Sequence, residues 1–476
     1  METDRNAYLI KNILIFTLTI VATKLITFLL VPIYTRYLST TEFGIADLLF
    51  SIGSFIIPLV TFNISEAVYR FSMDKGSNTN KITSIIIVTL IIMIVESLLI
   101  LPILSAFPSY SKYSGYYYLY IITSAISQVL SANLKGQEKL KKLSICNTLF
   151  TFLVGLFNII FLIILKMKIQ GYFLAFISAN IITAFYAFIV GNVYDDMKHF
   201  ELDKKLYKAM LKYSIVLVPT SFMWWIINSS DRVMISSFLN ESANGIYAVS
   251  YKIPSFFITI LSIFTSAWVF SAIKEKEKED NEKYSNIIYA KFLFIIILFA
   301  SFIISFLKPF LKIYVSSSYF IAWRYVPPLL VGGIFLTLSN YLATFYTANK
   351  DSKGLLYSAT VGAISNIVLN LLLIPKVGIM GAAIATCASY ILVFLYRYFN
   401  VRKYINIYFK IKYAFYFLLL MINIVLVYIE SVVCSILQVI LLVIFIVYYR
   451  DELLFFIKNF RSLIKKKFKK NRGAKV

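Results

Sequence analysis

Blocks of about 20 consecutive apolar residues recur along almost the whole sequence, and this constrains the fold more than any other feature. A helix needs roughly 20 such residues to cross the hydrocarbon core of a bilayer. A soluble fold of 476 residues would need a large polar surface. Only 15% of the residues are charged and 60% are hydrophobic, against roughly 25% charged in an average soluble domain. A soluble enzyme, a secreted disulfide scaffold and a disordered chain are thereby excluded. The apolar blocks do not alternate with polar residues, as the ~10-residue strands of a transmembrane barrel would. Backbone groups in lipid must bond internally, so helices are the expected spanning element. The fold class is all-α, polytopic and membrane-embedded.

The blocks predict fourteen helices: 9–34, 43–69, 82–107, 116–134, 143–165, 169–190, 209–230, 246–273, 287–307, 323–348, 355–375, 379–399, 411–429 and 432–449. Short turns at 166–168 and 376–378 reverse the chain between long helices. The first block is too long for a signal peptide and lacks an A-x-A-like exit. No connection on the far side of the membrane exceeds about 18 residues on this map, which leaves no room for an external catalytic domain.

The 47 Lys+Arg outnumber the 23 Asp+Glu, a net charge of +24. In a soluble chain that excess would suggest nucleic acid. Here it follows from basic loops that orient spans and meet anionic lipid, so no nucleic-acid partner is expected. With the N-terminus in the cytoplasm, 36 cations fall in cytoplasmic segments, eight in external ones and three within or at the edge of spans. Both termini are therefore expected in the cytoplasm. The tail 450–476 interleaves basic and apolar residues and reads as an anchor to lipid headgroups. Cys146, Cys387 and Cys434 lie in apolar blocks and imply no disulfide framework. His199, the single histidine, sits in a charged, solvated stretch.

Two stretches repeat. With an offset of 201, TRYLSTTEFGI (Thr35–Ile45) lies over SSFLNESANGI (Ser236–Ile246), pairing Leu38 with Leu239 and Gly44 with Gly245. With an offset of 210, KMKIQGYFLA lies over KVGIMGAAIA, pairing Gly171 with Gly381. Two matches at equivalent corners and in the same order point to duplication. Residues 1–190 and 209–400 are then two six-helix bundles of the same orientation, joined by a cytoplasmic linker at 191–208. Helices 13 and 14, within 401–449, are an addition. Parallel repeats of this kind suit alternating access, with substrate bound between the halves.

Ionisable side chains inside spans are costly and mark function. Lys24, Asp47, Glu96, Asp231, Arg232 and Lys252 fall in the external half of the spans. Lys24, Arg232 and Lys252 are the candidate lining of a cationic cavity, with Arg70 as a further cation toward the cytoplasmic end. Such a cavity suits a phosphate or pyrophosphate, gripped by a guanidinium fork and by lysine point charges. Asp231, Glu96 and Glu66 are the candidate carboxylates for ion coupling. Glu66 and Arg70 also have the spacing of a helix ion pair. Lys24 or Lys252, rather than the adjacent Arg232, is the expected partner of Asp231. Trp224, Trp225 and Trp268 are candidates to stack on sugar rings or to sit in the interfacial belt. The sequence has no phosphate-binding G-x-x-x-x-G-K-[ST] and no H-E-x-x-H, and its Cys and His lack metal-ligand spacing. No catalytic residue, metal or cofactor is expected, and uphill work would draw on an ion or substrate gradient.

The corner LLVPIYTRYLSTTEFGIADLL (Leu29–Leu49) resembles the first external corner of polysaccharide-biosynthesis flippases of the multidrug/oligosaccharidyl-lipid/polysaccharide superfamily, the MATE-like transporters. SSDRVMISSFLNESANGIYAVSYKIP (Ser229–Pro254) resembles the equivalent second-half signature, an Asp-Arg pair, then G-x-Y, then a cationic eighth helix. The resemblance implies translocation of undecaprenyl-pyrophosphate-linked oligosaccharide across a bacterial cytoplasmic membrane, for O-antigen, capsule or a similar glycan. It implies membrane lipids and polysaccharide polymerase machinery as partners. Some relatives carry arginines where Lys24 stands. A multidrug exporter of the same superfamily would favour an acidic, aromatic cavity, which Lys24 and Lys252 oppose. A membrane glycan polymerase or ligase would need a substantial external loop.

Overall fold

The computed structural model describes residues 23–74, 76–276, 278–349, 351–429 and 431–449. The start of the first predicted span and the basic tail 450–476 lie outside the described residues.

The described residues form helices and no strand. The membrane-scale helices are α1 (residues 23–37), α2 (Thr40–Val60), α3 (Thr79–Ser105), α4 (Ser114–Gly136), α5 (Leu140–Ile164), α6 (Lys168–Val190), α7 (Val218–Phe238), α8 (Glu241–Glu275), α9 (Asn281–Ser305), α10 (Val326–Ala348), α11 (Ser352–Val377), α12 (Ile379–Asn400), α13 (Ile411–Tyr428) and α14 (Val432–Tyr448). Ten of these are long and apolar enough to cross a bilayer. The sequences of α4 and α7 carry more polar residues, α14 has 17 residues, and α1 is described only in part. All fourteen predicted spans thus have a helix.

Caps explain where several helices begin. Ser39 starts α2 with a capping box, its hydroxyl accepting from the Glu42 N–H while Glu42 accepts from Ser39 N–H. Asn240 starts α8 by accepting from the Ala243 N–H at 2.8 Å. The two caps are 201 residues apart, the offset of the first repeat. Asp351 caps α11 and also accepts from Lys403 and Tyr404, which hold its carboxyl down to about 2.

Three features differ from the predicted map. The second span breaks at Phe62 and Asn63, whose φ of 48° and 53° are left-handed, and resumes as the helix Ile64–Ser72. The linker 191–208 holds the short helix Val193–Lys198 and the start of Lys204–Ile215, which leads into α7. The expected loop after α9 is folded as two helices, Leu307–Tyr314 and Ser317–Arg324. Within each helix the apolar face recurs every three or four residues, at Leu307, Leu311 and Tyr314 and at Tyr319 and Trp323, and all five are buried.

In the first half, α6 packs on α4 and α5, and Ile64–Ser72 packs on α4. In the second half, α12 packs on α10 and α11, α8 packs on α10, and α7 packs on α11. The halves meet where α2 lies against α8 and α7. The additional pair α13–α14 docks on α9. Within that dock Gln438 Nε2 donates to Asn423 Oδ1 and to its carbonyl, each at 2.9 Å. Asn423 Nδ2 in turn donates to Ser305 Oγ at 2.9 Å. Polar side chains of this kind hold helices together in lipid, where apolar contact discriminates little between protein and solvent. Asn423→Ala leaves Gln438 its bond to the backbone carbonyl but removes the Oδ1 acceptor and the Nδ2 donor to Ser305, and should cost about 1–2 kcal/mol. A fall of the thermal midpoint by a few degrees in detergent is the expected readout; an unchanged midpoint would refute it.

Candidate functional site

The two repeated corners touch each other. Gly44 and Gly245 sit in the first turns of α2 and α8, and the helices cross so closely that neither position has room for a side chain. A Cβ on Gly44 would lie 1.7 Å from the Glu241 carbonyl oxygen, and one on Gly245 would lie 2.0 Å from that of Thr40. Asn244 Nδ2 donates to the Gly44 carbonyl at 2.8 Å, and Ser242 Oγ donates to Thr40 Oγ1 at 2.7 Å.

Further ties close the same end. Tyr319 donates to the carbonyls of Leu38 and Ser39 at 3.1 and 2.7 Å, and Tyr314 donates to that of Phe28 at 2.5 Å. Ser316 Oγ donates to the Thr35 carbonyl. The segment after α9 is therefore a clasp of the second half on the α1–α2 corner of the first. Tyr110, on the short helix Pro108–Ser111, donates to Glu241 Oε1 at 3.2 Å. Burial and that carboxylate push its phenol up to about 12.

One turn along α2, an ion network joins the halves. Arg232 Nε donates to Asp47 Oδ2 at 2.8 Å, and Nη1 reaches Asp231 Oδ1 at 3.2 Å and the Asn228 carbonyl at 2.8 Å. Asp231 is 5% exposed. Its carboxylate also accepts from the Arg232 backbone N–H at 2.9 Å and from the Tyr247 hydroxyl. The expectation that a lysine partners Asp231 is corrected. The Arg232 side chain is long enough to fold back along its own helix and reach the adjacent carboxylate. Near Asp231, Tyr247 and Thr386 are within 3.4 Å, and Ser230 donates to Asn366 Oδ1 at 3.3 Å.

Lys24 and Lys252 face each other in another setting. They line a pocket of about 190 Å³ with Thr27, Phe28, Ser255 and Phe256, between α1 and α8. Phe28 and Phe256 stack at 4.7 Å beside it, continuing through Tyr314 to Phe310. Among the described residues no carboxylate is ion-paired with either lysine. Lys252 lies over the Phe43 ring at 5.8 Å. The arrangement can hold an anion: two ammonium groups, two hydroxyls and an aromatic floor at the seam of two helical halves.

The remaining candidates lie elsewhere. Arg70 is exposed and pairs with Asp74, so the Glu66–Arg70 pair does not form. The helix stops at Ser72, and the turn beyond it brings Asp74 to the guanidinium. Glu66 is exposed on the same short helix, and Glu96 is half-buried on α3. No ion pair joins either to another described residue. Trp268 is buried and stacks on Tyr341 at 5.3 Å, and Trp225 donates to the Ser51 carbonyl at 2.8 Å. Both are packing residues rather than open stacking surfaces.

Residues 9–270, just over half of the chain, match the family described as polysaccharide biosynthesis protein. No curated protein matches the sequence. Among solved structures, the lipid II flippase MurJ in an inward closed conformation is similar, with 17% identity and a TM-score of 0.59 over 87% of this chain and 97% of that one. An inward-facing multidrug resistance MATE family transporter of the MOP superfamily has 14% identity and a TM-score of 0.59, covering 80% and 95%. A MOP superfamily transporter from Pyrococcus furiosus has 12% identity and a TM-score of 0.56, covering 82% and 96%. These likenesses establish a MOP-type transporter fold.

Proposed function

We propose that this chain, which belongs to the polysaccharide biosynthesis protein family, is a flippase that carries undecaprenyl-pyrophosphate-linked oligosaccharide across a bacterial cytoplasmic membrane by alternating access. The observation that carries the reading is the pocket that brings Lys24 and Lys252 together with no carboxylate ion-paired to either among the described residues. An unpaired ammonium inside a membrane fold is expensive and is kept for a ligand. A pyrophosphate matches two lysines in charge, and the lipid tail can stay in the bilayer while the headgroup crosses. A cationic drug would meet repulsion in the same pocket.

Arg232 takes a different part in this scheme. Asp47 and Asp231 already neutralise it, so it acts as a latch between the halves. Asp231 is the candidate for ion coupling, because protonating it would weaken the latch. Arg70, Glu66 and Glu96 have no contact that supports a part in binding or coupling. The two six-helix bundles are the moving bodies, and the Gly44–Gly245 end is the external gate. The polymerase machinery that uses the exported unit would meet the protein on that side.

Vesicles reconstituted with the protein and lipid-linked oligosaccharide test the reading. The glycan should become accessible to an external glycosidase in a protein-dependent manner. Flipping of ordinary phospholipid alone would refute it. Orientation has its own test in whole cells. Cysteines replacing Ser109 and Ser317 should react with an impermeant thiol reagent from outside, and one replacing Ser77 only from the cytoplasm. The reverse pattern would place the gate on the other side.

A further inference from the structure

The second half holds a cation that the seam between the halves does not use. Arg397 lies in the last turn of α12 and is 7% exposed. Its Nε donates to Ser358 Oγ on α11 at 2.9 Å. Its Nη1 donates to the Ser339 carbonyl at 3.0 Å and to Asn340 Oδ1 at 3.5 Å, both on α10. All three acceptors are neutral, and no carboxylate among the described residues is ion-paired with it. A guanidinium cannot shed its proton in a protein. A buried charge without a counter-charge is destabilising even when its hydrogen bonds are made.

The guanidinium borders a cavity of about 140 Å³ lined by α7, α10, α11 and α12. Asn228, Asn340, Asn366 and Tyr390 supply amides and a hydroxyl to its wall, Ser389 lies there with its hydroxyl donating to the Ala385 carbonyl at 2.7 Å, and no acidic residue among the described ones lines it. The space exceeds that of a single water. The amide N–H groups of Asn340 and Asn366 beside one fixed positive charge match an anion with several acceptor oxygens. The site is separate from the Lys24–Lys252 pocket, which α1 and α8 form.

We propose that this cavity is a binding site for a small free oxyanion of the phosphate or sulfate type, with Arg397 as its counter-charge. The anion would neutralise the guanidinium and tie α7 to α10, α11 and α12. The inference does not depend on what the protein transports.

Thermal unfolding of the purified full chain in uncharged detergent tests it. The buffer is sodium gluconate, exchanged at equal ionic strength for sodium phosphate or sodium chloride. Phosphate should raise the midpoint by roughly 3 °C through binding to the folded state. The rise should persist in the Lys24→Gln/Lys252→Gln double variant, which separates this site from the seam. It should vanish in Arg397→Gln and in Ala359→Leu, which fills the cavity and keeps the guanidinium. If Arg397→Gln does not fold, Ala359→Leu decides alone. No rise in the wild type, an equal rise in Ala359→Leu, or an equal rise with chloride would each overturn the proposal.

Discussion

Gly44→Leu and Gly245→Leu are each expected to reduce transport by at least about 100-fold while the protein still reaches the membrane. At both positions the obstacle is a backbone carbonyl 1.7–2.0 Å from the new Cβ, so no side-chain rotation relieves the clash. The helices must separate, which breaks the hydrogen bonds from Asn244 and Ser242. Overpacking of a tight site typically costs about 1–3 kcal/mol, and a 100-fold shift between two states needs about 2.7 kcal/mol. The substitutions therefore hold the halves apart at this end. A cysteine replacing Ser255 should become more reactive toward an external reagent in these variants. Normal transport by Gly44→Leu would mean that the crossing does not gate the pathway.

Reversing the charge of the lysine pair should have a comparable effect. Lys24→Glu and Lys252→Glu are each expected to lower glycan export by about 100-fold, because a carboxylate repels the pyrophosphate and offers its lysine neighbour an internal partner. Lys24→Arg and Lys252→Arg keep the charge and should stay within about tenfold. Export by the double glutamate variant at the wild-type rate would remove the pocket from the pathway. Arg232→Lys should behave differently: it keeps the charge but loses the fork that spans Asp47 and Asp231. It should therefore weaken closure more than substrate affinity. Transport measured against substrate concentration separates the two effects.

Number and position of the spans were legible because a bilayer fixes their length and composition. The repeat was legible because Gly44 and Gly245 occupy positions where only glycine fits. Lys24 and Lys252 stood out as cations in apolar blocks. The partner of Asp231 was not legible, since sequence spacing places Cβ atoms but says little about where a long guanidinium reaches. Arg397 lies near the end of a predicted span, where a cation is ordinarily solvated. Its burial depends on Ser339 and Ser358 of two other helices, and no local pattern carries that information. Most of the clasp, 308–322, falls between two predicted spans because its helices are too short for the bilayer criterion. Its amphipathic spacing was the available signal.

The crossing of α2 and α8 has the form of an interface between two identical subunits. Residue 44 meets residues 241 and 245, while residue 245 meets residues 40 and 44. With the 201-residue offset, these are the same contacts made twice. Reciprocity of this kind defines an isologous interface in a twofold dimer. Here the two surfaces belong to one chain, joined through the 191–208 segment, so each is guaranteed its mate. The two sides are also free to diverge. Glu42 on one side serves the Ser39 cap, while Asn244 on the other donates across the seam. A symmetric contact can thus carry asymmetric duties: the second half supplies the guanidinium of the latch and the first its Asp47 partner, while the clasp grips only the first corner.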